Sequence, residues 1–232
     1  KKHFTKNNLK KIYKSIKKEQ NKFNISIGGG DTVKSNKLCI SITTVGFSDK
    51  IIQRNNSKIN DDIYVTGNIG DSYTGLCILK NKIKTNKFNR RFFINKYYSP
   101  ELHINLTKKL FKIANSSIDI SDGLFADLEK LINMQKFSYK IYLDKIPISK
   151  NLNKLLYLKN LKKINFVSRG DDYQILFTAS KHNKYIINYL SNKYKIRITK
   201  IGTLVNNKHK SIILDNKGNQ IFLKNKGYFH TF

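Results

Sequence analysis

The chain has 232 residues, of which 45 are Lys or Arg and 15 Asp or Glu, giving a formal net charge of +30. That length allows a sizeable buried core, while no stretch approaches the ~20 consecutive apolar residues of a membrane span and the lysine-studded amino terminus lacks the apolar run of a secretory signal. A cytoplasmic protein with no membrane partner is expected.

The charge invites a nucleic-acid reading. The lysines, however, are spread along the whole chain with many Asn and Ile, residue types favoured by AT-rich codons, and arginines are few. Aromatic runs such as Arg91-Phe92-Phe93-Ile94 do not make a glycine-punctuated stacking motif. Specific nucleic-acid binding is therefore not expected, whereas nonspecific adhesion to polyanions is. Cys39 and Cys77 lie in apolar-rich runs without metal-ligand spacing and are expected to be reduced, buried thiols. His3, His103, His182, His209 and His230 show no zinc spacing and read as solvated or packing residues.

In chain order, Leu9, Ile12, Tyr13 and Ile16 recur at helical spacing and predict an amphipathic surface helix over 9–20. A strand over 24–27 leads into Gly28-Gly29-Gly30-Asp31-Thr32, where glycines permit positive φ and a close approach of backbone amides to a ligand. Residues 38–47, rich in Ile, Thr and Val, predict a second, antiparallel strand and hence a hairpin-like unit. A polar stretch over 55–62 suits a domain boundary, dividing 1–57 from 58–232.

Beyond it, Ile63-Tyr64-Val65-Thr66-Gly67 reads as a short buried strand, and Gly70-Asp71-Ser72 as the cap of a helix containing Leu76, Ile78 and Leu79. Ser99-Pro100-Glu101 predicts a helix with proline in its first turn, running to Ala114. A strand over 117–120 ends at Ser121-Asp122-Gly123, ahead of a helix marked by Leu124, Leu128 and Leu131. A strand over 139–143, a helix over 152–161, a strand over 174–178, a helix over 185–194, and strands over 196–201 and 211–214 complete an α+β pattern without strict βαβ alternation.

Three acidic turns stand out because acids are scarce: Gly28-Gly29-Gly30-Asp31-Thr32, Ile118-Asp119-Ile120-Ser121-Asp122-Gly123 and Arg169-Gly170-Asp171-Asp172-Tyr173. In the second, two carboxylates flank a hydroxyl at a helix start, so hard oxygens for Mg²⁺ adjoin amides that suit phosphate. Each turn alone is an ordinary turn or helix cap; together they point to a nucleotide or metal site. No Gly-Lys-Ser or Gly-Lys-Thr follows the glycine run, which excludes a standard P-loop.

Taken together with Gly70-Asp71-Ser72, Gly75-Leu76, Asp127-Leu128 and Lys226-Gly227-Tyr228, these turns resemble the thiamine-monophosphate kinase family in order and spacing. The resemblance implies an aminoimidazole ribonucleotide synthetase-like α+β fold, with the end of an amino-terminal α/β domain over 1–57 and a complete carboxy-terminal α+β domain over 58–232. It further implies ATP- and Mg²⁺-dependent phosphorylation of thiamine monophosphate to thiamine diphosphate. By the same resemblance Asp31, Asp119 and Asp122 are Mg²⁺ ligands; Gly30, Arg54 and Ser121 contact ATP; and Asp171 and Tyr228 contact thiamine monophosphate. No residue is assigned a covalent catalytic role.

Asp171 stands where the family has glutamate, and Arg169 stands where it has the first glycine of a Gly-Gly-Glu-Asp-Tyr-Glu motif, which is expected to crowd the turn. Family members also begin with a segment carrying a Gly-Asp-Asp turn and a sheet that builds a homodimer. The chain starts at Lys1, and its one methionine is Met134, so it is read as lacking roughly that first third. Another ATP-dependent enzyme of the same fold, and a non-catalytic remnant that binds polyanions, are the competing readings.

Overall fold

In the computed structural model, which describes residues 5–223, 227 and 228, the chain forms two units, Lys1–Ser48 and Asp49–Phe232. In the first, the Thr5 side chain accepts the Asn8 amide at 3.2 Å and opens helix α1, Lys6–Phe23, which Asn24 closes in the left-handed conformation. The predicted helix forms, with no residue of it buried.

The strands expected over 24–27 and 38–47 do not: neither is part of a ladder, and Ile25, Leu38, Ile40, Ile42, Val45 and Phe47 are all exposed. Alternating β-branched residues favour an extended backbone, but a strand also needs a partner backbone and a face to bury. Cys39, expected to be buried, is exposed; Cys77 is buried.

The division at Ser48 comes earlier than position 57, because the intervening residues are tied into the second unit. The Asn55 amide donates to the Leu131 carbonyl at 2.8 Å, and the Ser57 hydroxyl lies 2.9 Å from that of Thr178.

The second unit runs β1 Asp62–Thr66, α2 Asp71–Leu79, α3 Lys87–Tyr98, α4 Ile104–Leu110, β2 Ser116–Asp119, α5 Leu124–Ile132, β3 Phe137–Tyr142, α6 Lys150–Leu158, α7 Ile164–Val167, β4 Ile175–Ala179, α8 Lys184–Tyr194, β5 Ile198–Asn206 and β6 Ile212–Leu214. The strands form one sheet in the order β2-β4-β1-β5-β3-β6, antiparallel throughout except for the β3 and β6 pair.

Strand β1 is buried along its whole length because both faces of the sheet are covered. Ile63 and Val65 join Leu124, Leu128 and Leu131 of α5 on one side. On the other, Tyr64 stacks on Phe177 with ring centroids 5.3 Å apart and packs among Leu106, Leu110, Ile187 and Leu190 of α4 and α8. A third cluster joins Ile78, Phe93 and Leu152, so α2, α3 and α6 pack as a group.

Two starts differ from the sequence expectation. The helix predicted from Pro100 begins only at Ile104; before it His103 Nε2 lies 2.7 Å from Gln174 Oε1, holding the approach in an irregular path. Gly70, with φ 92°, supplies no side-chain cap to α2; the cap comes from Asp172, far away in sequence. Helix α3, capped by Asn86, was not anticipated. Among the described residues no helix is long and apolar enough to cross a membrane.

Candidate active site

Strand β2 delivers the acidic turn to the sheet edge. Ile120 donates to the Gln174 carbonyl at 2.9 Å and accepts from the Tyr173 amide at 2.9 Å, so the ends of β2 and β4 stay paired past the strands themselves. The Asp171 amide then donates to the Ser121 carbonyl at 2.9 Å, and the Tyr228 amide to the Asp122 carbonyl at 2.8 Å. Turn 121–123, turn 169–172 and residues 227–228 are thereby joined backbone to backbone.

Glycine permits that closeness. A Cβ at Gly170 would lie 1.9 Å from the Ser121 carbonyl oxygen, and one at Gly227 would lie 2.5 Å from Ala126 Cβ. Gly123 combines φ +135° with a Cβ position 2.4 Å from the Ser168 carbonyl oxygen.

Asp127, in the first turn of α5 and fully buried, fixes the shape of the second turn. Its Oδ2 accepts the amides of Ser121, Asp122 and Gly123 at 3.0, 2.9 and 3.0 Å. Its Oδ1 takes the Lys130 ammonium at 2.9 Å, and the same ammonium bonds Asp122 Oδ2. Burial alone would push Lys130 down, but its bonds to both carboxylates and their charges outweigh this and push it up. Burial, then the charge of Asp122, pushes the Asp171 carboxyl up. Burial also raises the Tyr173 hydroxyl, helped by the charges of Asp171, Asp119 and Asp122, so three carboxylates act on one phenol.

Behind these turns a small cavity of about 20 Å³ is lined by Asp71, Ser72, Lys96, Glu101, Asp172 and Gln174 among others. Asp172 accepts the Gly70 and Ser72 amides at 2.7 and 3.2 Å, and burial pushes its carboxyl up to about 8. Asp71, bonded by the Ser149 hydroxyl at 2.6 Å, is pushed up to about 6, again chiefly by burial.

Of the residues singled out in the sequence, Asp119, Ser121, Asp122, Asp171 and Tyr228 lie on this group of turns, and Arg54 is exposed on the segment leading to β1. Gly30 and Asp31 belong to the first unit. None of Gly28, Gly29 and Gly30 adopts the positive φ that glycine permits. Nothing lies within 4 Å of a Cβ built on any of the three, so glycine leaves bare backbone there. The Asp31 carboxylate accepts the Thr32 amide at 2.7 Å.

Arg169 does not crowd its turn: its guanidinium lies over the Tyr73 ring, 5.6 Å from the centroid. Among the described residues no group of three His, Cys, Asp or Glu side chains is placed to hold a metal. Asp127, Lys130 and Asp172 were not assigned roles from the sequence, although Asp127 and Lys130 stand at helical spacing just after the Ser-Asp-Gly turn.

No profile of a known protein family matches the chain. Thiamine-monophosphate kinase of Buchnera aphidicola subsp. Acyrthosiphon pisum is 38% identical over 201 residues, 84% of this chain and 60% of that protein. The chain spans about 60% of the length of curated relatives that it matches.

The crystal structure of the Aquifex aeolicus thiamine monophosphate kinase matches with a TM-score of 0.76 at 24% identity, over 95% of this chain and 71% of that one. A structure of such an enzyme complexed with AMPPCP and TMP matches equally well, at 23% identity over 97% and 70% of the two chains. These likenesses identify the fold as aminoimidazole ribonucleotide synthetase-like.

Proposed function

We propose that the protein carries out ATP-dependent phosphorylation of thiamine monophosphate, on its likeness to thiamine-monophosphate kinases that are 30–38% identical over 75–85% of this chain. A phosphate oxygen of thiamine monophosphate attacks the γ-phosphorus of ATP. A new P–O–P linkage forms, the bond from the γ-phosphorus to the β,γ-bridging oxygen breaks, and ADP leaves. Such transfer asks little covalent chemistry of the protein and much positioning.

The observation that carries this reading is the joining of three loops by backbone bonds, Asp171 to Ser121 and Tyr228 to Asp122. It joins the segments that carry the residues proposed for the acceptor, Asp171 and Tyr228, to the turn that carries Ser121 and Asp122. Gly30 would give its bare backbone, and Arg54 its guanidinium, to ATP phosphates.

The donor set fits Mg²⁺: Asp119 and Asp122 offer hard carboxylate oxygens, and this ion is commonly held by one or two carboxylates together with substrate phosphates. Asp122 already pairs with one cation, the Lys130 ammonium. Asp31, in the first unit, is proposed as a Mg²⁺ ligand on the family resemblance alone. When bound, Mg²⁺ neutralises charge on the phosphate oxygens. Asp127 keeps the 121–123 amides in register and so fixes the direction of Asp122 and Ser121. A cytoplasmic location, a homodimer and the absence of a specific nucleic-acid partner go with the same reading.

The test is an acceptor panel with ATP and Mg²⁺, product identified by chromatography. Thiamine diphosphate should form, with no other phosphorylated acceptor, and Asp122→Asn should lower its formation by about a thousandfold, as expected when one member of a coupled site is removed. Phosphorylation of a different acceptor would favour another enzyme of this fold, and no ATP-dependent product at all would leave the polyanion-binding reading.

A further inference from the structure

We propose that Lys130 is a built-in counter-ion for Asp122 that competes with the divalent cation for this carboxylate and so lowers the metal affinity of the site. The proposal rests on the reading of Asp122 as a metal ligand.

An exposed lysine three residues after an aspartate on a helix is ordinarily a weak surface pair. Lys130 differs in two respects. Its partner at that spacing, Asp127, is fully buried and anchored by three backbone amides, so one side of the ammonium is held against a carboxylate that cannot swing away. Its other bond crosses from the helix to Asp122 on the turn, a contact that helix geometry alone does not require.

Asp127 has one oxygen committed to amides and the other to Lys130, which leaves Asp122 as the member of the trio able to exchange partners. Among the described residues the acids that face the turn are Asp119, Asp122, Asp127 and Asp171, and Lys130 is the cation in ion-pair contact with Asp122. A second positive charge brought to Asp122 meets this ammonium at close range, in a setting only partly open to water. The repulsion weakens metal binding until the ammonium turns away towards Asp127 alone.

The experiment titrates Mn²⁺ into the full 232-residue chain and follows the electron paramagnetic resonance signal of the free ion. Wild type is compared with Lys130→Met, Lys130→Gln, Lys130→Arg and Asp122→Asn, with circular dichroism as the check of fold. If the proposal holds, Lys130→Met and Lys130→Gln bind Mn²⁺ about fivefold or more tightly than wild type. Lys130→Arg, which keeps the charge, stays near wild type, and Asp122→Asn loses the site. Lys130→Gln keeps a donor for Asp127, so the comparison survives if the methionine variant fails to fold.

Unchanged or weaker binding in a folded, uncharged variant, with Asp122→Asn still impaired, overturns the competition and leaves the metal reading standing. Wild-type binding in Asp122→Asn overturns the assignment of Asp122 itself, and this proposal with it.

Discussion

Asp172 has a carboxyl wholly out of water, with the amides of Gly70 and Ser72 donating to it and Asp71 beside it. Burial raises the two acids from their ordinary value of 3.8 to about 8 and about 6. Between the unfolded and folded values the native state therefore holds more protons than the unfolded chain. The contribution to stability is fully present below about pH 4 and is lost as the pH rises, through about 6 for Asp71 and about 8 for Asp172.

Thermal unfolding at pH 5, 6.5 and 8 should accordingly show a melting temperature that falls with rising pH. Asp172→Asn, which keeps an acceptor for the Gly70 amide without ionising, should flatten that slope. Asp172→Ala should cost about 1–3 kcal/mol at pH 5, where the buried carboxyl is protonated, because two buried amides lose their partner, and the cost should shrink as the pH rises and wild type itself loses stability. An unaltered slope in the asparagine variant would place the titrating proton on another residue.

At the scale of elements, turns 121–123 and 169–172 and residues 227–228 are joined to one another by main-chain bonds, and glycine substitutions can separate architecture from chemistry. Gly170→Ala puts a methyl group 1.9 Å from the Ser121 carbonyl oxygen, a backbone atom that cannot step aside. It should cost about 1–3 kcal/mol and abolish thiamine diphosphate formation by prising turns 121–123 and 169–172 apart. Gly30→Ala, with nothing within 4 Å of the new methyl, should leave stability within about 0.5 kcal/mol, so any loss of ATP affinity there reports on the ligand alone. Chemical denaturation with a parallel activity assay distinguishes the two; equal destabilisation by both would mean that the close approach at Gly170 is not what organises the turns.

The same elements show what the sequence could and could not disclose. Strands β1, β2 and β4 and helix α5 were legible because they are short apolar runs, or an amphipathic stripe, that end in turn residues. The acidic turns were legible because acids are rare in this chain. Helix α3 was not: Phe88 is exposed and Phe93 is the residue of that helix that is buried, so its aromatics mark no single face. The strands expected over 24–27 and 38–47 have the alternation but no ladder among the described residues. The capping of α2 by Asp172 spans about a hundred residues, beyond any local pattern. Lys130 was hidden by abundance, one cation among 45 Lys and Arg.

For the whole molecule, a net charge of +30 surrounds a site in which Asp119, Asp122, Asp127 and Asp171 outnumber Lys130. On the proposed function both substrates are anions, so the two scales oppose each other: the distant lysines draw ATP and thiamine monophosphate inward, while Asp119, Asp122 and Asp171 repel them at contact. The long-range attraction is screened as the Debye length shrinks from about 30 Å at 0.01 M salt to about 8 Å at 0.15 M, whereas charges within a few ångströms of the reacting phosphates are screened far less. Salt should therefore act on encounter and spare the chemical step. Over that range kcat/KM for ATP should fall about tenfold while kcat changes less than twofold, measured at saturating Mg²⁺ and matched viscosity. Heparin, a polyanion that competes for the same field, should reproduce the loss at low salt and have little effect at 0.15 M. A kcat/KM that rose with salt would show instead that repulsion by the three carboxylates governs encounter, and that the dispersed lysines act too far from the site to steer its substrates.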